Sequence, residues 1–310
     1  MVSFRGAERY RSHQTLGEGT YGVVYLAEDL ERPGTMVAVK RVRMGERGAG
    51  VALSALREIK SLRELEHPHV VGLVDVFADG ENVCLVYERM HGDLDQVLRD
   101  RTTIIRPGDV KAWMRMALEG LAAVHEHWML HRDIKPDNLL MAEDGTLKLG
   151  DFGLSRTYAS PGGGVYSPQA ITVWYRPPEM LFGAQRYGPA VDIWSMGCVF
   201  AELLLRRPIF PGTSDMDQLQ KIAIIMGSPD ESNWPGVTNI RNYFPIEVQP
   251  PPPLASHFPA ASKEAIALIT SMLQLCPERR ISAREALAHP YFHQDTMPKE
   301  TPLADLPRPK

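Results

Sequence analysis

The chain has 310 residues, of which 44% are hydrophobic and 23% charged, and its formal net charge is −4. This composition is typical of a globular protein with one large domain or two lobes, and it excludes a disordered or fibrous chain. The basic residues are dispersed, so we expect no direct binding of nucleic acid. No apolar run approaches the ~18 residues that cross a bilayer, and the first residues lack the apolar core of a secretory signal, so we expect no membrane association.

Cysteine use points to a reducing compartment. Cys84, Cys198 and Cys276 are odd in number and far apart in sequence. They form neither a disulfide framework nor a metal-ligand spacing, so we expect the cytosol or the nucleus.

The first ~90 residues have the pattern of short strands separated by turn signals. The predicted strands cover residues 23–25, 36–42, 70–77 and 83–87. One helix interrupts them from Leu53 to about Glu66, with an apolar residue at every third position and charged residues between. It ends there because a following His-Pro pair disfavours helical backbone.

Beyond residue 88 the pattern is mainly helical. It predicts helices over 109–128, 193–205 and 262–275, two short apolar segments at 139–141 and 147–149, a loop over 155–172 and an irregular tail. We therefore divide the chain into a β-rich lobe (1–88), a helical lobe (89–296) and a C-terminal tail (297–310). A cleft between two lobes is a common ligand site.

A glycine-rich segment is the first feature that suggests chemistry. Gly17, Gly19 and Gly22 are spaced so that backbone N–H groups can approach phosphate oxygens without a Cβ in the way. An ordinary turn is the alternative, because this spacing is weak evidence alone. A dinucleotide fold would need a helix directly after it, whereas a strand follows at 23–25, so the pattern favours a β-hairpin over phosphates.

Two charged residues in the first lobe form a candidate pair. Lys40 ends an apolar strand, and Glu58 lies in the middle of the apolar-striped helix. Each has an ordinary interpretation, since strand ends and exposed helix faces commonly carry charge. If they pair, the Glu58 carboxylate holds the Lys40 ammonium toward the phosphates of a nucleotide.

The segment 131–138 alternates basic, acidic and amide side chains. An aspartate such as Asp133 can accept a hydroxyl proton, and Lys135 can meet a transferring phosphoryl group. Asn138 can ligate a hard cation, and so can Asp151, which opens an Asp-Phe-Gly triplet after a short apolar segment. The sequence therefore predicts Mg²⁺ ligands at Asn138 and Asp151.

These features follow one order, with 18 residues from Gly22 to Lys40, 18 from Lys40 to Glu58, 75 from Glu58 to Asp133 and 18 from Asp133 to Asp151. In that order they resemble the protein-kinase signature set over essentially the whole chain. The resemblance implies a bilobal α+β protein-kinase fold that uses ATP as co-substrate and Mg²⁺ as cofactor. It assigns the catalytic roles to Asp133, Lys135, Lys40 and Glu58.

The same resemblance implies the nucleotide pocket, with Tyr87 at its back, Glu88 and Met90 in the hinge and Leu140 as its floor. It also implies that Arg280 pairs with Glu179 as a structural tie. The full set implied for ATP is Leu16, Gly17, Glu18, Gly19, Gly22, Val24, Ala38, Lys40, Tyr87, Glu88, Met90, Asp93 and Leu140.

Further segments resemble the cyclin-dependent kinases, among them residues 52–59, 174–176, 187–194 and 211–219. Within that family, segments such as 127–131 and 306–309 most resemble the kinase that activates other members, the catalytic subunit associated with transcription factor IIH. This implies a cyclin partner, an assembly factor as a further partner, and a location in the nucleus or in both the nucleus and the cytoplasm. It also implies Pro-directed Ser/Thr phosphorylation of cyclin-dependent kinases, of the RNA polymerase II C-terminal repeats, or of both.

Two alternatives stay open. Thr20-Tyr21 in the glycine segment resembles cell-cycle members that are restrained by phosphorylation there, which favours a cell-cycle or cilium-associated cyclin-dependent-like kinase with other substrates. A catalytically silent, cyclin-binding scaffold is the other. Such a scaffold generally lacks Lys40, Asp133 or Asp151, and all three are present.

The resemblance also implies regulatory sites in the loop 155–172 and in the glycine segment. Ser167 occupies the position of the activating phosphate, with Ser160 as a second candidate, and Thr20 and Tyr21 are inhibitory sites. Three arginines match those that gather around the activating phosphate in the family: Arg57, Arg132 and Arg156.

Overall fold

The structure is a computed structural model that describes residues 4, 8–19, 22–42, 53–158, 166, 171–293 and 299–309. The first part of the chain forms a five-stranded antiparallel sheet in the spatial order β1-β2-β3-β5-β4. Its strands are β1 (Tyr10–Gly19), β2 (Gly22–Asp29), β3 (Met36–Val42), β4 (Leu73–Asp79) and β5 (Asn82–Glu88). The predicted strands are thereby confirmed, with β3 at the predicted bounds and β2, β4 and β5 longer or shifted.

The sheet is held by a small apolar core and one close backbone approach. Val37 and Val39 of β3 alternate inward and pack with Tyr25 and Val86, because successive strand residues face opposite sides. At Gly22 a Cβ would lie 2.1 Å from the Arg41 carbonyl oxygen, so β2 can begin beside β3 only with glycine there.

Helix α1 (Leu53–Glu64) lies between β3 and β4 in the chain. It buries Ala55, Glu58, Ser61 and Leu62 rather than the predicted apolar stripe alone. Two leucines of that stripe are exposed, Leu53 by 66% and Leu56 by 49%. The helix therefore packs a partly polar face against both its own sheet and the segment that follows Asp151, and it leaves apolar surface outward.

The second part of the chain is mainly helical. Its helices are α2 (Leu94–Arg99), α3 (Pro107–Glu126), α4 (Pro178–Leu181), α5 (Ala190–Leu205), α6 (Asp215–Met226), α7 (Lys263–Met272), α8 (Ala283–Leu287) and α9 (Pro290–His293). Helices α3 and α5 each carry more buried apolar residues than any other helix, including Trp113 and Trp194. No helix in the described ranges is both long enough and apolar enough to cross a membrane.

Helix ends differ from the sequence expectation where capping decides them. Helix α3 ends two residues before Trp128, which has a left-handed φ of 57°. Helix α7 begins after Ser262, whose side chain accepts from the Ala265 N–H as a cap, and it ends at Met272 instead of about Leu275. Helices α2, α4, α6, α8 and α9 were not predicted.

Five short strands position the loops at the lobe boundary. Strands β6 (Gly92–Asp93), β8 (Leu139–Met141) and β9 (Leu147–Leu149) form one small sheet, and β8 and β9 have the predicted bounds. Strand β7 (Met129–Leu130) pairs with β10 (Arg156–Thr157). These pairs fix the segments 131–138 and 151–155 beside each other.

The described part of the tail, 299–309, is irregular as predicted but is docked on the helical lobe. Glu300 pairs with Arg115 at 2.5 Å, and Leu306 is buried. At its far end the Pro309 carbonyl oxygen lies 3.0 Å from His91 Nε2.

The expected tie between Arg280 and Glu179 is a buried, two-pronged ion pair. Its N–O distances are 2.6 and 2.7 Å, and the side chains are 0% and 5% exposed. It joins the segment after α7 to α4.

We expect Arg280→Ala to lower the free energy of unfolding by about 3–5 kcal/mol, because it leaves the Glu179 charge buried without its partner. Arg284→Ala is the matched control, since Arg284 pairs with Glu126 at the same 2.6 Å but is 81% exposed; it should cost under ~1 kcal/mol. Urea unfolding measures both, and equal losses would contradict this account.

Candidate active site

A cleft of about 580 Å³ separates the sheet from the helical part of the chain. It is lined by predicted nucleotide residues from both sides: Leu16, Gly17, Gly22, Val24, Ala38, Lys40, Tyr87, Glu88, Met90, Asp93 and Leu140. Glu18 is exposed on β1 and does not contribute to this lining; a residue of such a segment can contact phosphate through its backbone alone. Sequence reasoning missed Val71, His91, Gly92 and Gln96, which also line the cleft.

The Lys40 ammonium lies between two carboxylates at the inner end of the cleft. Its Nζ is 2.8 and 3.1 Å from the two oxygens of Glu58 and 3.1 Å from Oδ1 of Asp151. Burial disfavours the charge on Lys40, but the two carboxylates raise its pKa above the ordinary value. Burial likewise opposes ionisation of Asp151, and Lys40 outweighs it and lowers the pKa of that carboxyl. Lys40 and Asp151 are therefore both charged at neutral pH.

Tyr87 adds a second bond to Glu58. The Tyr87 hydroxyl donates to Oε1 of Glu58 at 2.7 Å, and both residues are buried. Burial and the adjacent Glu58 charge raise the pKa of Tyr87 well above its ordinary value, so the hydroxyl keeps its proton. No sequence signal indicated this bond.

The second cluster is centred on Asp133. Oδ2 of Asp133 accepts from Lys135 Nζ at 3.0 Å and from Asn138 Nδ2 at 2.9 Å. Its other oxygen, Oδ1, accepts from the Thr172 hydroxyl at 3.1 Å. Burial opposes the charge on Lys135, while Asp133 raises its pKa above the ordinary value, so the ammonium stays charged. Thr172 was not predicted for the site, although it is the last residue of the predicted loop 155–172.

Asp192 fixes the backbone of the Asp133 segment and was also missed. This fully buried carboxylate accepts from the N–H groups of His131 and Arg132 at 2.9 and 2.8 Å and lies 3.0 Å from His125 Nε2. These bonds hold Arg132 at a left-handed φ of 67°. The only sequence sign was an acidic residue next to the predicted buried helix at 193–205.

Asp151 is aimed into the cleft by its own backbone. It has a left-handed φ of 56°, and Phe152 after it is fully buried with its ring 4.7 Å from that of His131. Gly150 before it leaves room for the pocket floor: a Cβ there would lie 2.5 Å from Cδ1 of Leu140.

The three predicted arginines gather beside the Asp133 segment. Arg132 donates to the Leu154 carbonyl at 2.8 Å. Burial and the positive charges of Arg57 and Arg132 lower the pKa of Arg156 to about 10, and burial with Arg132 lowers the pKa of Arg57. The positive charges of these arginines therefore repel one another, and a bound anion would relieve this repulsion. The predicted phosphorylation sites Thr20, Tyr21, Ser160 and Ser167 lie outside the described residues.

Comparison with known proteins agrees with this geometry. Residues 10–292 match the family model described as "Protein kinase domain". The chain is 51% identical over 306 residues to cyclin-dependent kinase 7 of Dictyostelium discoideum, covering 97% of this chain and 84% of that protein. It is 42% identical to cyclin-dependent kinase 7 of Xenopus laevis, covering 98% and 86%.

A solved structure is similar over nearly the same range. It is titled as the CAK complex from Chaetomium thermophilum bound to ATP-gamma-S, and it matches with a TM-score of 0.88, 43% identity, and coverage of 96% of this chain and 94% of that one. The chain belongs to the protein kinase family. Within that family it is an ATP-dependent serine/threonine kinase of the cyclin-dependent type, similar to cyclin-dependent kinase 7.

The residues present fit a magnesium ion. Asp151 and Asn138 bring the carboxylate and amide oxygens that Mg²⁺ prefers, and both are placed beside the cleft with Asp133. The amide nitrogen of Asn138 donates to the carbonyl oxygen and to Oδ2 of Asp133. This orientation directs the amide oxygen of Asn138 away from Asp133, where it can face a cation.

We expect Gly150→Ala to raise the KM for ATP about five-fold and leave kcat within two-fold. The added methyl displaces Leu140 from the pocket floor, and overpacking of a flexible side chain costs about 1 kcal/mol. Steady-state kinetics measures this. The double variant Gly150→Ala/Leu140→Val should recover the original KM, and an unchanged KM in the single variant would show that the floor does not contact nucleotide.

Proposed function

We propose that this kinase uses Asp133 as the base that accepts and orients the substrate hydroxyl. The observation that carries the proposal is the Asp133 carboxylate, which is 6% exposed, faces the cleft and is held by Lys135, Asn138 and Thr172. A hydroxyl placed near Thr172 would meet a carboxylate that is already oriented. Proton acceptance by such a group contributes typically 10²–10⁴-fold to a rate.

The other charged groups are proposed to position the ATP phosphates. Lys40, held by Glu58, binds the α- and β-phosphates, and Lys135 neutralises the transferring phosphoryl group. Asp151 and Asn138 hold Mg²⁺, which supplies charge neutralisation on the phosphate oxygens when bound. Since the transition state is loose, positioning and charge carry most of the catalysis. In this division the lobes 1–88 and 89–296 each supply one wall, and 297–310 is a tail.

We further propose Pro-directed Ser/Thr substrates, namely other cyclin-dependent kinases, the C-terminal repeats of RNA polymerase II, or both, in the nucleus. Arg176 supports the Pro preference because its guanidinium donates to the Ile171 carbonyl at 2.8 and 3.0 Å. That carbonyl is then not available to a backbone N–H of the substrate, so a proline, which has none, loses nothing there. The relatives named cyclin-dependent kinase 7 support this class of substrates.

A cyclin is the proposed partner, with an assembly factor as a possible third subunit. The exposed Leu53 and Leu56 of α1 support this, since they continue the helix face next to the buried Glu58. A partner that covers them also fixes the helix that carries Glu58. The similar structure of a CAK complex supports an assembly of more than one subunit.

Asp133→Asn tests the base role. We expect it to lower kcat by 10²–10⁴-fold while the melting temperature and ATP affinity stay near the original values, because the amide cannot take a proton. Phosphorylation of a polymerase-repeat peptide measures the rate. Asp137→Asn, at an exposed position of the same segment, is the control and should retain activity. A rate above about a third of the original in Asp133→Asn would remove Asp133 from this role.

Leu56→Glu tests the cyclin surface. Loss of one buried leucine contact at an interface weakens binding by about 1.5–3 kcal/mol, so we expect the cyclin concentration for half-maximal activity to rise ten-fold or more. The melting temperature of the chain should not change because the side chain is half exposed. Ile104→Glu, at a 79% exposed position on the other lobe, is the control. Equal activation of both variants would place the cyclin elsewhere.

Ser167 is the proposed activating site and Ser160 a site that affects partner binding more than rate. A phosphate on Ser167 would accept charge-assisted hydrogen bonds from Arg57, Arg132 and Arg156 and relieve their repulsion. Phosphate on Thr20 or Tyr21 would instead add negative charge beside the ATP phosphates and inhibit.

We expect Ser167→Ala to lower the rate of the fully phosphorylated, cyclin-saturated kinase ten-fold or more, since one to three hydrogen bonds to a charged group shift a loop equilibrium by at least that factor. Ser160→Ala is the matched control and should keep the original rate. If Ser160→Ala is slow and Ser167→Ala is not, the activating site is Ser160 and the assignment to Ser167 is wrong.

A further inference from the structure

The hydroxyl of Tyr87 makes a contact that the nucleotide-pocket role does not need. A pocket wall requires only an aromatic ring, yet the hydroxyl is turned to Glu58 and donates to it at 2.7 Å. Tyr87 lies on strand β5, between β3 and β4, opposite Ala38 of β3 and Leu73 of β4. The ring is thus fixed by strands on both sides, and it presents a rigid donor to α1.

The other bond to Glu58 comes from a cation with competing partners. Lys40 shares its ammonium between Glu58 and Asp151. In the proposed mechanism Lys40 also binds the ATP phosphates, and this weakens the ion pair between Lys40 and Glu58 when nucleotide is bound. Tyr87 has no such competition, because among the described residues its hydroxyl donates only to Oε1 of Glu58.

Beyond Glu58, a polar pair links the next turn of α1 to the segment after Asp151. The hydroxyls of Ser61 and Ser155 lie 2.7 Å apart, and both are buried. Glu58 and Ser61 are three residues apart and so lie on the same helix face. That face therefore carries bonds to β3, to β5 and to the Asp151 segment, all within this one chain.

We propose that Tyr87 is a positioning residue. Its hydroxyl holds α1 inward and so keeps Glu58 paired with Lys40 in the absence of a partner subunit. This deepens the proposed function and rests on it, because it assigns part of the helix placement to the chain and the remainder to cyclin. Loss of the hydroxyl should make the kinase more dependent on cyclin. A wall residue for nucleotide would instead change the affinity for ATP.

Tyr87→Phe tests the proposal because it removes the hydroxyl and keeps the ring. In the chain without cyclin we expect hydrogen exchange of the amides of α1 (Leu53–Glu64) to rise about ten-fold, and kcat to fall about ten-fold, the size that one hydrogen bond to an ionised group has. Saturating cyclin should restore kcat to within two-fold. The KM for ATP should change less than two-fold.

Tyr10→Phe is the matched control. Its hydroxyl donates to a carboxylate of the same lobe, Asp75, at 2.9 Å, far from the cleft. It should leave α1 exchange, kcat and KM within two-fold of the original. Melting curves of both variants separate general weakening of the lobe from loss of the Glu58 contact.

Three results would overturn the proposal: unchanged α1 exchange in a folded Tyr87→Phe protein, a raised KM for ATP with unchanged kcat, or the same effects in Tyr10→Phe. If Tyr87→Phe does not fold, Glu58→Ala gives the second test, since it removes the acceptor and should also raise α1 exchange; no rise would overturn the proposal. If the original protein phosphorylates no substrate with or without cyclin, the proposed function fails, while the exchange comparison still decides whether Tyr87 holds α1.

Discussion

The Glu58 carboxylate is the constraint on which the arrangement of the cleft depends. It is 2% exposed, and a charge so deeply buried is costly unless hydrogen-bonded partners surround it. Here the ammonium of Lys40 donates to both oxygens of Glu58, and the hydroxyl of Tyr87 donates to Oε1. Satisfying this one charge brings together a helix and two strands that are distant in sequence. The position of the helix, the direction of Lys40 and the shape of the inner cleft then follow together.

A comparable buried carboxylate organises the opposite wall. Asp192, at the start of α5, takes two backbone N–H groups from the segment that leads to Asp133. Burial raises the cost of this charge, and the nearby His125 and the two N–H groups lower the pKa of Asp192 below its ordinary value. The proposed base is thus positioned by a helix of the core and not by its own segment alone. Each wall of the cleft is positioned by one buried acid, and the substrate groups would meet between them.

How far the sequence predicts this structure depends on the range of the interaction. The strand bounds of β3, β8 and β9 and the buried helix α5 follow from local apolar periodicity, and the signature residues follow from their order and spacing. The Lys40–Glu58 pair was one of two interpretations of these charges, and the order of the signature residues favoured it. The Arg280–Glu179 tie came from family resemblance and is present as expected.

What the sequence does not predict is set by tertiary contact. Nothing around Tyr87 distinguishes its hydroxyl from any other tyrosine in a strand, because its acceptor is on a helix 29 residues away. Thr172 and Asp192 are single polar residues whose roles exist only once Asp133 lies beside them. Helix α6 was missed, and its start depends on the Ser214 cap. Helices α3 and α7 end earlier than periodicity indicated.

Glu58→Gln tests most directly whether this buried carboxylate fixes the active arrangement. The variant keeps the size of the side chain but removes the charge that holds Lys40. With cyclin saturating, kcat for a polymerase-repeat peptide should fall about 100-fold, the cost of a small misplacement of a catalytic group. Glu64→Gln, an exposed acid on the same helix, should keep the original rate. A Glu58→Gln kinase that is folded and turns over at more than a third of the original rate would contradict the account.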